Sequence, residues 1–387
     1  MVAKGRPQRE TLLSRADRPS LRSFDNPAQI DYTFGNVIDN VSNLIYSHMK
    51  KQLTTVRIQD VAREAGVSVS TVSRVLNERY GVSSDTVARV QKVIDELGYS
   101  SSLAARSMRG ATNVIGVIIF NLGLAFNMEV VRGIDQVVQT QGYDLMVYTS
   151  NRANHSGDPT WERKVVNQLN GSIIDGVIVV TPTMLSLPTN FPLVTIEPCA
   201  EGDYPSVLAT NFAGAQEAVQ YLIGLGHRRI GMIGGTPRLL SARQRRQGYE
   251  AAHHAAGLPL ATELYVEGDY SYHIALDAAR QLFSLAEPPT AILAGNDESA
   301  FAVLEVAREL GISVPQQCSV IGFDNTRESR NSSPPLTTVD QSIVGLGSRA
   351  AELLIQIIAG QSVENRLYEL PTQLIVRESC QPIATIG

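Results

Sequence analysis

The sequence predicts an α/β protein made of a small all-α headpiece followed by a two-lobed body with parallel, doubly wound sheets. Three observations carry that expectation. From Val114 onward, short apolar runs alternate with amphipathic helical ones. Ahead of them, residues 56–78 read as two short helices joined by a tight turn. The charge is divided along the same line: the net −5 hides ten Lys/Arg against six Asp/Glu between Lys50 and Thr112, six against five in residues 1–49, and an acidic remainder. A basic module beside an acidic body suits a chain whose small end meets phosphate.

The 387 residues, 43% hydrophobic and 18% charged, allow two or three globular domains with real cores. No apolar run approaches the roughly 18 residues that would suggest a membrane span. The N-terminus has no apolar stretch of the secretory kind. Cys199, Cys318 and Cys380 are scattered without metal or redox spacing, which points to a reducing cytoplasm.

Residues 1–49 are polar and interrupted by Pro19 and Pro27. They read either as a disordered extension or as a segment upstream of a true start at Met49. Residues 50–99 form the headpiece. In its first helix Ile58, Val61, Ala62 and Ala65 share a face, and Gly66 follows where a left-handed residue is wanted. Ser68 caps a second helix with inner residues Val72, Val75 and Leu76. Its outer face carries Val69, Ser70, Thr71, Arg74 and Asn77, short near the N-terminus with an arginine one turn on, as a helix entering a major groove requires. A third helix runs from a Ser83 cap through Val87, Val90, Ile94 and Leu97. By pattern alone, two amphipathic helices and a turn suit plain core packing as well as DNA reading.

The string from Val61 to Asn77 removes that ambiguity, because it resembles the headpiece of the lactose-repressor (LacI/GalR) family almost letter for letter. The resemblance extends through Leu97-Gly98-Tyr99 and Ala104-Ala105-Arg106-Ser107-Met108, and on to about Cys380. It implies a periplasmic-binding-protein-like body over residues 113–387 and base contacts from Val69, Ser70 and Arg74. It further implies phosphate contacts from Ser68, Thr71, Ser73 and Asn77. A guanidinium can grip guanine in bidentate fashion, while hydroxyls and amides satisfy phosphate oxygens. Arg57 stands where the family places a capping threonine; an arginine there gives up the cap but is well placed to meet a phosphate. Residues 100–112 correspond to the family's hinge helix, which enters the minor groove beside Ala105 with a wedge that is normally leucine and here is Met108.

In the body, strands are expected at Val114–Phe120, Asp144–Thr149, Gly176–Val180, Pro192–Ile196, Arg229–Gly234, Ala291–Gly295 and Cys318–Phe323. Helices are expected over Met128–Gln141, Gly214–Leu225 and Ser299–Leu310. Ligands of doubly wound sheets bind beyond strand C-termini. The resemblance assigns Arg245, Tyr270 and Asp297 to a polyhydroxylated effector: charges for hydroxyl pairs, a ring for the apolar sugar face. Gln341 falls near the crossover between lobes, Asp324 reads as a turn anchor, and Arg243 as a surface or ion-pair residue. The first-lobe wall (Leu124, Phe126, Glu197) departs from the family's sugar-binding pattern and is more apolar. His253-His254 reads as a solvent-facing pair.

These features lead to a homodimeric, cytoplasmic DNA-binding regulator, a repressor of a pseudo-palindromic operator controlled by a small carbohydrate effector. A periplasmic solute-binding protein would need a secretory signal and no headpiece. No metal cluster, P-loop or Gly-x-Ser-x-Gly elbow supports an enzyme, and no cofactor is expected.

Overall fold

The computed structural model describes residues 56–76, 81–97, 112–149, 159–169, 173–184, 187, 191–200, 202, 204–363 and 365–383. The N-terminal 49 residues, hinge residues 100–111 and the expected DNA contacts Asn77, Ala105 and Met108 lie outside the described residues. The chain divides between Ser101 and Ser102 into two compact units.

The first unit contains helices α1 (Ile58–Glu64), α2 (Val69–Leu76) and α3 (Ser84–Leu97). Their apolar stripes meet in one core of Val61, Ala62, Ala65, Val72, Val75, Val90, Val93 and Ile94. Val61, Val72 and Val90 are completely buried, each worth about 1.5–3 kcal/mol. Val87, expected inside, is exposed, and Val93 takes its place. The buried stripe of α3 is 90, 93, 94 and 97, the i, i+3, i+4, i+7 face, and Val87 lies one turn beyond its edge. Gly66 has φ +63° with open space around a notional Cβ, so the backbone alone requires glycine there. Ser68 caps α2 as expected, its Oγ accepting the Thr71 N–H at 3.1 Å. At the start of α1 the Arg57 side chain makes no cap. Instead Asp60 accepts the Arg57 N–H at 2.9 Å, half of a capping box, and Arg63 donates to the other Asp60 oxygen at 2.6 Å. The carboxylate near the helix N-terminus offsets the misplaced cation.

The second unit has two lobes. Lobe 1 is a parallel sheet of β1 (Val114–Ile119), β2 (Asp144–Thr149), β3 (Gly176–Val180), β4 (Leu193–Ile196), β5 (Ser206–Ala209) and β11 (Leu367–Leu370), in the order 11-5-4-3-1-2. Helices α4 (Ala125–Thr140) and α11 (Ile343–Ile358) cover one face, and α5 (Pro159–Leu169) covers the other with Trp161, Val165 and Val166. Lobe 2 comprises β6 (Ile230–Ile233), β7 (Tyr265–Val266), β8 (Ala291–Ala294), β9 (Ser319–Asp324), β10 (Thr337–Asp340) and β12 (Gln373–Ile375), in the order 12-10-9-8-6-7. Only β12 is antiparallel there. Its faces carry α6 (Asn211–Gly224) with α7 (Leu240–Ala255), and α8 (Tyr272–Phe283) with α9 (Asp297–Glu309). A short helix α10 (Arg327–Asn331) follows β9.

Strands β1, β3, β4, β6, β8 and β9 are buried on both faces, which is why they were legible as apolar runs, whereas the edge strand β2 is half-exposed. Each lobe repeats the 2-1-3-4-5 winding, so the order reverses between β1 and β3, and between β6 and β8. The chain crosses between lobes three times, at Thr210, at Gln341–Ser342 and at Pro371–Thr372. Two crossings are tied together: the Thr372 N–H donates to Thr210 Oγ1 at 3.0 Å, and the Thr210 N–H to the Leu370 carbonyl at 2.9 Å. In lobe 1, α4 and α11 cross at Gly133 and Gly347. A Cβ on Gly133 would stand 2.0 Å from the Val344 carbonyl oxygen, and one on Gly347 2.2 Å from that of Val130.

Candidate functional site

A cavity of about 480 Å³ lies between the lobes, walled by the segments that follow strand C-termini. Lobe 1 contributes Phe120 and Asn121 after β1, Leu124 through Asn127 at the start of α4, Thr181 and Thr183 after β3, and Glu197 after β4. Lobe 2 contributes Thr236, Arg238, Ser241 and Arg245 after β6, Asp269 and Tyr270 after β7, Asn296 and Glu298 after β8, and Asp324 with Thr326 around the end of β9. Gln341 enters from the second crossing. Four wall residues, Thr181, Glu197, Tyr270 and Asp324, are non-glycines with positive φ (47°, 49°, 69° and 124°). Such backbone strain collects where a side chain must be aimed against local preference.

Arg245 sits at the centre, 4% exposed. Its Nε donates to Asn211 Oδ1 at 2.8 Å, its Nη1 to the Gly295 carbonyl at 2.6 Å, and its Nη2 to Gln341 Oε1 at 3.2 Å. The guanidinium lies over the Phe323 ring, 3.7 Å from its centroid, and Nη1 faces the Asp324 carboxylate at 3.9 Å. Gln341 closes the circuit by donating its Nε2 to Asp324 Oδ1. The interlobe crossing is thereby bonded to both Arg245 and Asp324. Asp324 Oδ2 accepts no hydrogen bond among the described residues, which leaves it available to a ligand.

Glu197 accepts the Ala209 N–H at 2.8 Å and the Asn211 amide at 3.1 and 3.3 Å. Burial pushes its carboxyl above the usual range while Arg245 pulls it back. Burial likewise holds Asp324 well above an ordinary carboxylate, again against the pull of Arg245. The Tyr270 hydroxyl is buried against Ser241 without a hydrogen bond of good geometry. Behind lobe 1's wall, Glu162 of α5 accepts the Thr183 N–H at 2.9 Å, its hydroxyl at 3.0 Å and the Met184 N–H at 3.2 Å. The adjacent Trp161 meets Phe120 edge-on at 6.0 Å.

Of the residues expected at this site, Leu124, Phe126, Glu197, Arg245, Tyr270 and Gln341 line the cavity together. Asp297 does not. It is fully buried behind the wall, accepting the N–H and hydroxyl of Thr326 and the hydroxyl of Thr338. Asp324, expected to be only a turn anchor, lines the cavity instead, whereas Asp297 opens α9 and bonds the β9–α10 turn from behind. Arg243, expected as a surface or ion-pair residue, is partly exposed and bonds to carbonyls: it donates to those of Pro237 and Arg238 within lobe 2 and, at 2.9 Å, to that of Cys199 in lobe 1. Of the histidine pair, His254 is exposed but His253 is buried, its ring 4.3 Å from that of Tyr249 and its Nδ1 2.9 Å from the Tyr249 carbonyl. The sequence reading overlooked Thr181, Thr183 and Asn211.

On the headpiece, Arg57, Ser68, Val69, Ser70 and Arg74 are exposed, while Thr71 and Ser73 are half-buried. The hydroxyls opening α2 are linked, Ser68 Oγ lying 2.7 Å from Ser70 Oγ and 2.8 Å from Thr71 Oγ1. Arg74 follows one turn later, on the face opposite Val72 and Val75. Among the described residues no group of His, Cys, Asp or Glu is arranged to hold a metal ion, and no helix is long and apolar enough to cross a membrane.

Residues 57–102 match the bacterial regulatory proteins of the lacI family, and residues 219–380 match a periplasmic binding protein-like domain. Catabolite control protein A of Priestia megaterium is 33% identical over 335 residues, covering 84% of this chain and 99% of that protein. Among solved structures, the Lac repressor dimer bound to operator and the anti-inducer ONPF superposes with a TM-score of 0.73 at 28% identity, covering 85% of this chain and 100% of the other. The complex of the transcriptional regulator CelR with cellobiose does so with a TM-score of 0.62 at 29% identity, over 84% and 99% of the two chains.

Proposed function

The chain belongs to the lacI family of bacterial regulatory proteins, which are DNA-binding transcription regulators and not enzymes, and from that premise we propose that it is a homodimeric repressor whose hold on a pseudo-palindromic operator is set by a small polyhydroxylated effector in the interlobe cavity. The observation that carries this reading is the Arg245–Gln341–Asp324 circuit, which joins the ligand-facing charges to a crossing between lobes. A carboxylate oxygen with room for a hydroxyl, a guanidinium held flat and the Tyr270 ring together suit a sugar's polar edge and apolar face. The CelR structure, a complex with cellobiose, supports the same class.

A ligand bonded to both lobes favours the arrangement in which both reach it, and Gln341 carries that bias into the crossing. Residues 100–112 then pass it to the headpiece, folding as a hinge in only one of the two states, with Met108 as the apolar wedge. On DNA, Arg74, Val69 and Ser70 read bases, while Ser68, Thr71, Ser73, Asn77 and Arg57 hold phosphates. Dimerisation follows the precedent of the Lac repressor, which meets its operator as a dimer.

The test is isothermal titration of neutral mono- and disaccharides into the full chain and into Asp324→Asn, with operator release followed in parallel. A sugar that binds the wild type, binds Asp324→Asn at least about tenfold more weakly and changes operator affinity is the expected result. A sugar that binds both chains equally, or that binds without changing operator affinity, contradicts it.

A further inference from the structure

The charges that face the cavity do not balance. Among the described residues, the carboxylates of Glu197, Asp269, Glu298 and Asp324 line it against the guanidinium groups of Arg238 and Arg245. The imbalance persists at its innermost part, where Glu197 and Asp324, 2% and 5% exposed, share the single cation Arg245. Arg238 is exposed, where water and salt screen it.

Arg245 is also largely committed. All three of its nitrogens already donate, to Asn211, Gly295 and Gln341, and one face of its plane is covered by Phe323. Among the described residues, a phosphate or carboxylate entering here would find no second buried cation to pair with. It would also meet two buried carboxylates in a medium that screens poorly. A hydroxyl meets no such obstacle, since it can donate to Asp324 Oδ2 and accept from what remains of the guanidinium.

Taking the cavity as the effector site, we propose that it selects an effector without negative charge and rejects the phosphorylated and carboxylated forms of the same skeleton. Discrimination comes from unpaired like charge, which costs an anion affinity without adding any to the neutral ligand. Both inner carboxyls are already held above their usual range by burial. A negative charge on the ligand would disfavour their ionised forms further.

The test uses the full-length chain and matched sets: glucose, glucose 6-phosphate and gluconate; cellobiose and cellobionate; ribose and ribose 5-phosphate; adenosine and its monophosphate. Binding is read from the emission of Trp161, the chain's one tryptophan, which abuts the cavity-lining Phe120, and from the melting temperature. The compounds that bind are expected to be neutral, with their anionic counterparts on the order of a hundredfold weaker. An anionic member that binds as tightly as its neutral parent overturns the proposal, although a sugar phosphate doing so would leave the carbohydrate reading intact. Adenosine binding where no sugar does would end the carbohydrate reading, while the adenosine–monophosphate ratio still decides this one. In Glu197→Gln the discrimination between parent and phosphate should shrink about tenfold. An unchanged ratio there contradicts the charge argument, and Asp324→Asn supplies the same comparison if Glu197→Gln does not fold.

Discussion

The Asp297 carboxylate holds Thr326 twice, accepting its N–H at 2.8 Å and its hydroxyl at 2.9 Å, while its other oxygen accepts from Thr338 at 2.5 Å. Just ahead of Thr326 stand Asp324, the last residue of β9, and Asn325, both with positive φ. Asp297 is therefore the positioning residue that keeps Asp324 turned into the cavity. Asp297→Ala leaves buried donors without an acceptor and should cost about 1–3 kcal/mol in urea unfolding of the body, along with effector affinity lost through Asp324. Full stability in that variant would contradict the assignment.

The same residue predicts a pH dependence. Burial raises the Asp297 carboxyl from 3.8 to about 6. The folded state thus holds this proton more tightly than the unfolded chain does. The stability it contributes is present below about pH 4 and lost as pH rises through about 6. The stability of the wild type relative to Asp297→Asn should accordingly fall across that window, measured by urea unfolding at fixed pH values. A difference that rises with pH runs against the expectation.

Gly347 lets α11 approach α4 to within reach of the Val130 carbonyl. Gly347→Ala should cost at least about 1–3 kcal/mol, because the intruding methyl meets backbone that cannot rotate away. Thermal unfolding measures it, and an unaltered midpoint would mean that the helices separate at little cost.

Tyr270→Phe removes a buried hydroxyl that has no well-formed hydrogen bond. The effector-free chain should keep its stability or rise by up to about 1 kcal/mol, while affinity for a hydroxylated effector falls. Calorimetric titration beside a melting curve separates the two effects. Lost stability with unchanged affinity would assign the hydroxyl to the scaffold.

The residues legible in the sequence were those whose signal is local. The buried strands read as unbroken apolar runs, and Gly66 with Ser68 marked the turn and cap of the headpiece. The misreadings had longer-range causes. β5, β10, β11 and β12 are short and carry Ser, Thr, Glu or Gln, so no run announced them. Without β5, the position of Asn211 at the start of α6 could not be recognised, nor its place between Glu197 and Arg245. Asp297 read as an effector contact by resemblance and Asp324 as a turn anchor, both near the end of a strand. Only the packing of α9 under the β9–α10 turn buries Asp297 and leaves Asp324 lining the cavity. His253 escaped for the same reason, since its burial depends on the pairing of α6 with α7.

Arg57 lies exposed at the start of α1, where a phosphate contact is proposed. Arg57→Ala should lower the slope of log affinity against log salt by about one and weaken all DNA sequences alike. Electrophoretic mobility shifts at several salt concentrations measure this. A change in sequence preference would instead make Arg57 a base reader.

The most direct test of the whole account is selection of duplexes from a random pool by the full-length chain, repeated with Arg74→Ala. The account predicts enrichment of a pseudo-palindrome by the wild type. Arg74→Ala should lose about 1–3 kcal/mol of binding at one symmetric pair of positions and relax the choice of base there. Failure to enrich any palindrome, or a selected site and affinity unchanged in Arg74→Ala, would contradict it.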